Sequence, residues 1–501
     1  MKMAMKRGII VALGVILQFS LIMVVLMFFG NHVAAIETIY AIISILLVLV
    51  IIKESRSLSS DLPWIIIILL FPIVGALLYL VIGNNLHKNK VLKSINKQID
   101  EGKKYLVQDK NIKGEIESYN LDKIRYISEY AGFPVYKNTR VQYYPIGEQA
   151  YKVMIDELKN AEKYIFIEYF IIKHGKMWQE ILEILKEKVK QGLDVRVMYD
   201  DLGSIAYLDP NYPTELESYG IKCICFNKLK PFSGVIMNSR DHRKIMIIDG
   251  HTAFSGGINL ADEYINITHP YKHWKDNGIM IKGEAVWSFT VMFLEMWNSY
   301  RNIDKDFNTF KYHFNNAYNE KGYVVPYGES PLDDEIVGEN IYLNIINQAK
   351  KYVYIFTPYL IIDTDMINSL TLAAKRGVDV RIVVPGVPDK KIVYSLTKSY
   401  FAGLIKYGVK MYTYTPGFIH GKVFVSDDNV ATVGSLNLDY RSLYHHFECG
   451  IYMEDVEEIK AIKNDVISTI DKSHKVTQNE AKGKGLKALW QLILRLFAPL
   501  M

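Results

Sequence analysis

The stretch HRKIMIIDGHTAFSGGINL at 242–260 is answered further along the chain by HGKVFVSDDNVATVGSLNL at 420–438. Both open His-x-Lys, carry an aspartate at the same offset, and read as a strand, a turn and a second strand. A titratable base and a permanent cation are odd cargo for segments that otherwise look buried. The similarity extends outward from them. AEKYIFIEYFIIK (161–173) resembles AKKYVYIFTPYLIID (349–363), and KQGLDVRVMYDD (190–201) resembles KRGVDVRIVVPG (375–386). DNGIMIKG (276–283) likewise resembles ECGIYMED (448–455). All pairs keep their order, the mark of an internal duplication. Short Ile/Val/Tyr runs alternate with helical stretches such as MWQEILEILKEKVKQG, which predicts an α/β chain whose sheets are mixed or mostly parallel. Two lobes, 135–321 and 322–476, are expected in a pseudo-two-fold arrangement.

On a strand, residues i and i+2 share a face, so His242 and Lys244 project together, as do His420 and Lys422. Asn259 and Asn437 follow the turns Gly256-Gly257 and Gly434-Ser435, from which an amide can swing back beside the histidine. Lys244, Asn259, Lys422 and Asn437 are therefore the candidate phosphate-binding groups. In-line displacement at phosphorus needs an attacking group on one side and a proton donor on the other. One histidine from each lobe supplies both. Asp249 and Asp427 complete the repeated motif and count among its catalytic residues, although their odd offset from the histidine turns them to the opposite face, where they fix local structure. A carboxylate should orient each imidazole. The repeat nominates Asp276 and Glu448, which align at the head of the last strand of each lobe. An insertion before Asp276 interrupts that alignment.

Smaller features follow from the same pattern. Arg240 and Arg243 flank His242 and either hold a second phosphate or are solvated. His445-His446 lacks the partners of a metal site and reads as surface, and neither a metal nor another cofactor is expected. The three cysteines, Cys223, Cys225 and Cys449, form no disulfide framework and read as core.

The ends of the chain point to a lipid bilayer. Residues 8–29 and 34–52 and the run LPWIIIILLFPIVGALLYLVIG at 62–83 are candidate transmembrane spans within a membrane region 1–84. Trp64 and Tyr79 stand where interfacial aromatics would sit in the third. Lys2, Lys6 and Arg7 hold the N-terminus inside, and Lys88, Lys90, Lys93 and Lys97 also favour the cytoplasm. Three spans cannot satisfy both, so either one run is not a full span or the rule fails at one end. The catalytic lobes are placed towards the cytoplasmic face of a multi-pass membrane protein. Residues 85–134 read as a polar helical connector. The stretch 477–501 ends in an amphipathic helix with Leu486, Leu489, Leu492, Ile493, Leu496 and Phe497 on one stripe. Such a helix either lies in a membrane interface or docks on the protein's own core. A net charge of +5 fits acidic lipids or phosphate substrates and leaves no nucleic-acid footprint.

These residues give the chain its resemblance to the phospholipase D superfamily, whose members carry two H-x-K-x-x-x-x-D motifs. Within it the chain is similar to the bacterial cardiolipin synthases, through NSRDHRKIMIIDGHTAFSGGINLADEYI, GFIHGKVFVSDDNVATVGSLNLDYRSLYHHFE and the closing RLFAPL. The run DLPWIIIILLFPIVGALLYLVIG resembles that subfamily's N-terminal membrane hairpin. The resemblance implies two phospholipase D-like lobes and a metal-independent phosphatidyl transfer from phosphatidylglycerol to a second phosphatidylglycerol. His242 is then the nucleophile, and His420 the acid that later serves as base. The same motifs would serve a phospholipase D, where water replaces the alcohol, or a phosphatidylserine synthase. A non-catalytic binder of anionic lipid is the reading from outside the enzymes.

Overall fold

A computed structural model describes residues 20, 33–54, 58–79, 90–118, 121–229, 239–314, 318–483 and 485–500. Contacts group the chain into two units, one of 1–88, 231–237 and 496–501, the other of 89–230 and 238–495.

In the first unit the apolar runs form helices α1 (Val33–Glu54), α2 (Leu58–Leu70) and α3 (Pro72–Leu78). The run 62–83 is not one span. The chain breaks at Phe71, whose backbone is non-helical, and Pro72 starts a new helix. Gly75 then packs so closely on α2 that a Cβ there would lie 2.5 Å from the Ile67 carbonyl oxygen. Trp64 and Tyr79 meet edge to face with ring centroids 5.7 Å apart. On one straight helix they would stand roughly 22 Å apart, so the expectation of aromatics at opposite membrane faces is overturned: the segment doubles back. α1 leaves Ile39, Ile42, Ile43, Ile45, Leu46 and Leu49 each more than half exposed. No helix among the described residues is long and apolar enough to cross a membrane. The candidate span 8–29 lies outside the described residues, Ser20 excepted.

The second unit holds the duplicated part. Its first half contributes β1 (Thr139–Tyr144), β2 (Tyr164–Tyr169), β3 (Asp194–Asp200), β4 (Lys222–Phe226), β5 (Arg240–Asp241), β6 (Lys244–Ile248), β7 (Thr252–Gly256), β8 (His273–Lys275) and β9 (Gly278–Gly283). The second half contributes β10 (Tyr323–Glu329), β11 (Tyr352–Phe356), β12 (Leu360–Ile361), β13 (Asp379–Pro385), β14 (Lys410–Tyr414), β15 (Gly417–Ile419), β16 (Val423–Ser426), β17 (Val430–Gly434), β18 (Leu438–Asp439), β19 (His446–Glu454) and β20 (Ser473–Lys475). One sheet runs β1-β9-β7-β6-β2-β3-β4 and the other β10-β19-β17-β16-β11-β13-β14-β20, so the seven strands of the first match the first seven of the second and β20 is an addition at the edge. In each, three strands are parallel and the rest antiparallel. The sheets are therefore mixed.

Helical periodicity decides the crossovers. In the helix Lys176–Lys190 the buried set Met177, Trp178, Ile181, Leu182, Ile184 and Leu185 forms one stripe against the sheet between β2 and β3. Gly192, at φ +92°, reverses the chain after it. The helix Val286–Tyr300 is buried over residues 286–298. It belongs to one apolar core with Phe166 and Ile247 of the first lobe and Val425 and Ile451 of the second. The connector shares that core. Its helix Lys90–Gly102 buries Leu92 and Ile95 there, and the Ser94 hydroxyl donates to the Ser299 carbonyl at 2.9 Å. The described part of 85–134 is thus packed on both lobes, Lys90–Gly102 on the first, and Lys123 and Tyr126 on Glu454 and Glu335 of the second.

Candidate active site

Two short strands place the histidines. β5 pairs in parallel with the start of β19, Arg240 opposite His446 and Asp241 opposite Phe447. The His242 amide continues the ladder by donating to the Phe447 carbonyl at 2.9 Å. Symmetrically, β15 pairs in parallel with β8, and the His420 amide donates to the Lys275 carbonyl at 2.7 Å. Each motif histidine is therefore stitched to the other lobe, one residue short of that lobe's aligned carboxylate. The side chains follow the backbone. His242 Nδ1 lies 2.7 Å from Glu448 Oε1, and His420 Nδ1 lies 2.6 Å from Asp276 Oδ2. The orienting carboxylates are crossed between lobes. A carboxylate accepting at Nδ1 fixes the proton there and leaves Nε2 as the ring's acceptor.

Lys244 Nζ donates to the His242 carbonyl at 2.6 Å. Lys422 Nζ donates to the His420 carbonyl and sits 3.0 Å from both nitrogens of that ring. All four side chains are buried. Burial pushes Lys244 down to about 8 and Lys422 to about 7. Burial, then Lys244, His446, Lys422 and His420 in turn, hold His242 well below its ordinary value. Burial and Lys422 outweigh Asp276 and take His420 to about 4. Positive charge from both lobes thus converges on one place, as a site for an anion requires. The carboxylates differ. Burial would raise Asp276, but His420, Lys422 and the Asn277 amide hold it below its usual value. Burial lifts Glu448 to about 8 against the pull of Lys244.

Several sequence-based expectations need correction. Asp249 fixes local structure, as its odd offset implies, and is not the catalytic group that its place in the motif suggests. Its carboxylate accepts from the amides of Glu162, Lys163 and Tyr164 at 2.7–2.8 Å, and so fixes the start of β2. Asp427 does the same for Lys350, Lys351 and Tyr352. Both sit beyond the far end of their strands at positive φ, +54° and +53°, a conformation aspartate tolerates. Asn259 is committed to structure, accepting from the Ile171 amide at 3.0 Å and donating to the Tyr264 hydroxyl at 2.8 Å. Asn437 leaves a buried Oδ1 without a partner. That atom is an acceptor and suits a hydroxyl better than a phosphate oxygen. Arg240 and Arg243 are neither solvated nor free for a phosphate. Arg240 donates to the Asn227 carbonyl and lies 3.4 Å from Asp200, while Arg243 lies 3.7 Å from Glu168, all buried. His446 is buried, not on the surface.

Sequence reasoning also missed Ser435, Gly257 and Trp274. The Ser435 hydroxyl donates to Glu448 Oε2. A Cβ on Gly257 would fall 2.0 Å from Asp276 Oδ1, so only glycine lets the carboxylate in. Trp274 Nε1 points at Asp276 Oδ2 from 3.4 Å. The signal for Trp274 and His446 was available: each stands two before its carboxylate, on the same face of the strand.

The model for "Cardiolipin synthase, PLD-like domain" matches residues 154–297 and 342–469, and that for "Phospholipase_D-nuclease N-terminal" matches 38–84. An uncharacterized protein of Streptococcus mutans is 45% identical over 91% of this chain and 99% of its own. A cardiolipin synthase of Alkalihalophilus pseudofirmus is 30% identical over 94% of each chain. Among solved structures, phosphatidylserine synthase of Haemophilus influenzae aligns with a TM-score of 0.56 at 14% identity, covering 76% of this chain and 98% of that one, and so shares the fold.

Proposed function

This chain belongs to the family of phospholipase D-like cardiolipin synthase domains, and we propose that it is a phosphatidyltransferase making cardiolipin and glycerol from two phosphatidylglycerol molecules. The crossed histidine–carboxylate pairs carry the reading, because each half-site is complete only with a residue from the other lobe. His242 Nε2 attacks phosphorus, the bond from phosphorus to the headgroup oxygen breaks, and His420 gives that oxygen its proton. Glycerol departs and a phosphatidyl-histidine remains. The terminal hydroxyl of a second phosphatidylglycerol then gives its proton to His420 and attacks phosphorus. The phosphorus–nitrogen bond breaks and cardiolipin leaves.

The electrostatics support this division. His242 is held neutral, as a nucleophile must be. Glu448, 2.7 Å from Nδ1, orients the ring so that Nε2 is the attacking nitrogen. Asp276 stays charged beside His420 and favours the imidazolium that the acid step needs. A bound phosphodiester offsets the repulsion from Lys422, so His420 takes up its proton as substrate arrives.

The lipid substrate places the protein at a bilayer. The C-terminal helix Leu486–Leu496 supports an interfacial role over docking on the core. It touches the body through Gln491, donating to the Ser395 carbonyl, and Arg495, lying 4.3 Å over the Tyr400 ring. Its apolar stripe faces outward, with Leu486 85% and Leu492 63% exposed. At the other end, the doubled-back segment 58–78 removes one of three candidate crossings. Lys88, Lys90, Lys93 and Lys97, where the second unit begins, favour the cytoplasm by the charge rule, and the lobes are read as facing that side. Modification of a single cysteine placed at 84–90 by an impermeant reagent in intact cells would sink that sidedness.

Purified protein in vesicles of phosphatidylglycerol alone is expected to yield cardiolipin and glycerol in equal amounts by mass spectrometry. Phosphatidic acid as sole product would make it a hydrolase, and a requirement for serine would make it the other transferase. A pure lipid binder would keep its lipid phenotype after His242→Ala or His420→Ala, whereas the transferase loses it.

A further inference from the structure

His446 opens β19 two residues before Glu448, and its ring centroid lies 5.6 Å from that of His242. Its Nδ1 is 3.9 Å from Glu448 Oε1. Both ring nitrogens are buried, and neither has a hydrogen-bond partner. Buried polar atoms are nearly always paired, so two open nitrogens on one ring beside a nucleophile mark a place that a ligand group fills. Burial, with Arg441, His445, Arg240 and Lys244 around it, keeps this ring well below its ordinary pKa. A neutral imidazole offers one donor and one acceptor. A hydroxyl suits either nitrogen, because it gives and accepts. A phosphate oxygen would satisfy only the donor, and an ammonium only the acceptor.

The first lobe shows the contrast. The equivalent position is Trp274, whose single N–H points at Asp276 and which has no acceptor. Hydroxyl recognition is thereby confined to the His242 side. A metal ion is the rival occupant, since ligand atoms of His242, His446 and Glu448 lie within 4.8 Å of one another. However, Glu448 Oε1 and His242 Nδ1 stand 2.7 Å apart, at hydrogen-bond spacing. Two ligands of one tetrahedral zinc stand roughly 3.3 Å apart. Lys244 and Lys422 also bring positive charge to the same place.

We propose that His446 reads the headgroup of the phosphatidyl donor, a ring nitrogen holding a glycerol hydroxyl while His242 attacks phosphorus. This rests on the phosphatidylglycerol reading above and adds to it the residue that selects the headgroup.

Two donors that differ only in their hydroxyls test it: phosphatidylglycerol and phosphatidylpropanol, each in phosphatidylcholine vesicles, with release of glycerol or propanol timed. Substituting His446→Leu should lower kcat/KM for phosphatidylglycerol about tenfold and leave that for phosphatidylpropanol within about twofold. Substituting His446→Asn, which keeps a donor and an acceptor, should retain most of the preference. The acidities of the two alcohols cancel when the ratio is compared between variants. An unchanged ratio in the leucine variant, an equal fall on both lipids, or an asparagine variant that behaves like leucine overturns the assignment. Release of alcohol from neither lipid by the unsubstituted protein would overturn the transferase reading and this one with it. Turnover of both lipids at a ratio indifferent to position 446 removes this one alone.

Discussion

The two half-sites share a sheet order and a His-x-Lys strand, yet their surroundings have diverged. His242 faces Glu448, which Ser435 supports, with Phe170 at 4.7 Å and His446 at 5.6 Å between ring centroids. His420 faces Asp276, beside Gly257, with Trp274 and Tyr264 each at 5.5 Å. The backbone frame is symmetric because duplication copied it, down to the strand exchange that crosses the carboxylates. The electrostatics are not symmetric. One carboxylate is held below its usual range and the other is raised to about 8. A duplicated frame thus holds two histidines by the same crossed pairing, and in the proposed transfer the residues packed on each decide which attacks and which donates.

The largest effects should come from separating those roles. With a phosphatidyl donor whose leaving group is p-nitrophenol, no acid is needed. His420→Asn should then keep a burst of nitrophenol and accumulate phosphatidyl-enzyme, while His242→Asn gives neither. On phosphatidylglycerol both variants should fall by at least about 10³-fold. A burst from His242→Asn and none from His420→Asn would invert the assignment. The crossing is tested one step down. Glu448→Gln should depress the nitrophenol burst, and Asp276→Asn should spare it while slowing phosphatidylglycerol turnover, each by roughly a hundredfold. Carboxylates that served their own lobes would give the opposite pattern.

A smaller effect comes from pH. Lys422 and Lys244 lose their protons in the empty site as pH rises through about 7 and about 8. Each loss removes a positive charge that an anionic headgroup needs, so kcat/KM should decline over that interval. Lys422→Arg, permanently charged, should leave only the Lys244 step and move the decline up by about one pH unit. A profile unchanged in that variant would remove Lys422 from phosphate binding. Stability has the opposite limb. His420 has an ordinary value of 6.5 and is held at about 4 in the folded protein. The unfolded chain therefore binds the proton first, so the His420 share of stability falls as pH drops from about 6.5 towards 4, opposed by Glu448 with its raised value of about 8, and is read as the difference between the unsubstituted protein and His420→Asn. Thermal melts across that range check it.

The repeat made the lobes, their strands and the histidines legible, because period-2 alternation and a paired motif are local signals. Asp276 and Glu448 were legible too, through alignment of the last strands. What no single segment carries is register between lobes. That β5 pairs with β19 and β15 with β8 depends on contacts distant in the chain, and the crossing of the carboxylates follows only from that pairing. His446 was misread because two adjacent histidines after RSLY look polar, whereas the second heads a buried strand. Arg240 and Arg243 were misread for the same reason. Their buried partners Asp200 and Glu168 come from strands remote in sequence. The segment 62–83 passed for a span because hydropathy is blind to a break such as that at Phe71-Pro72.

The comparison of lobes extends to the motif aspartates, where the expected effect is on stability rather than on rate. Each accepts three backbone amides at the start of the strand paired with its own. Charge-assisted bonds of this kind contribute more than neutral ones. Asp249→Ala should cost about 2–4 kcal/mol of unfolding free energy, from lost amide partners and from alanine at positive φ. Asp249 is 4% exposed, whereas Asp427 is only partly buried, so Asp427→Ala should cost less. Asparagine at either position keeps an acceptor and tolerates the left-handed turn, and should fall between. Turnover per folded molecule should stay within about threefold throughout, as read by denaturant melts paired with active-site titration. A hundredfold loss of turnover at unchanged stability would instead return these aspartates to the chemistry.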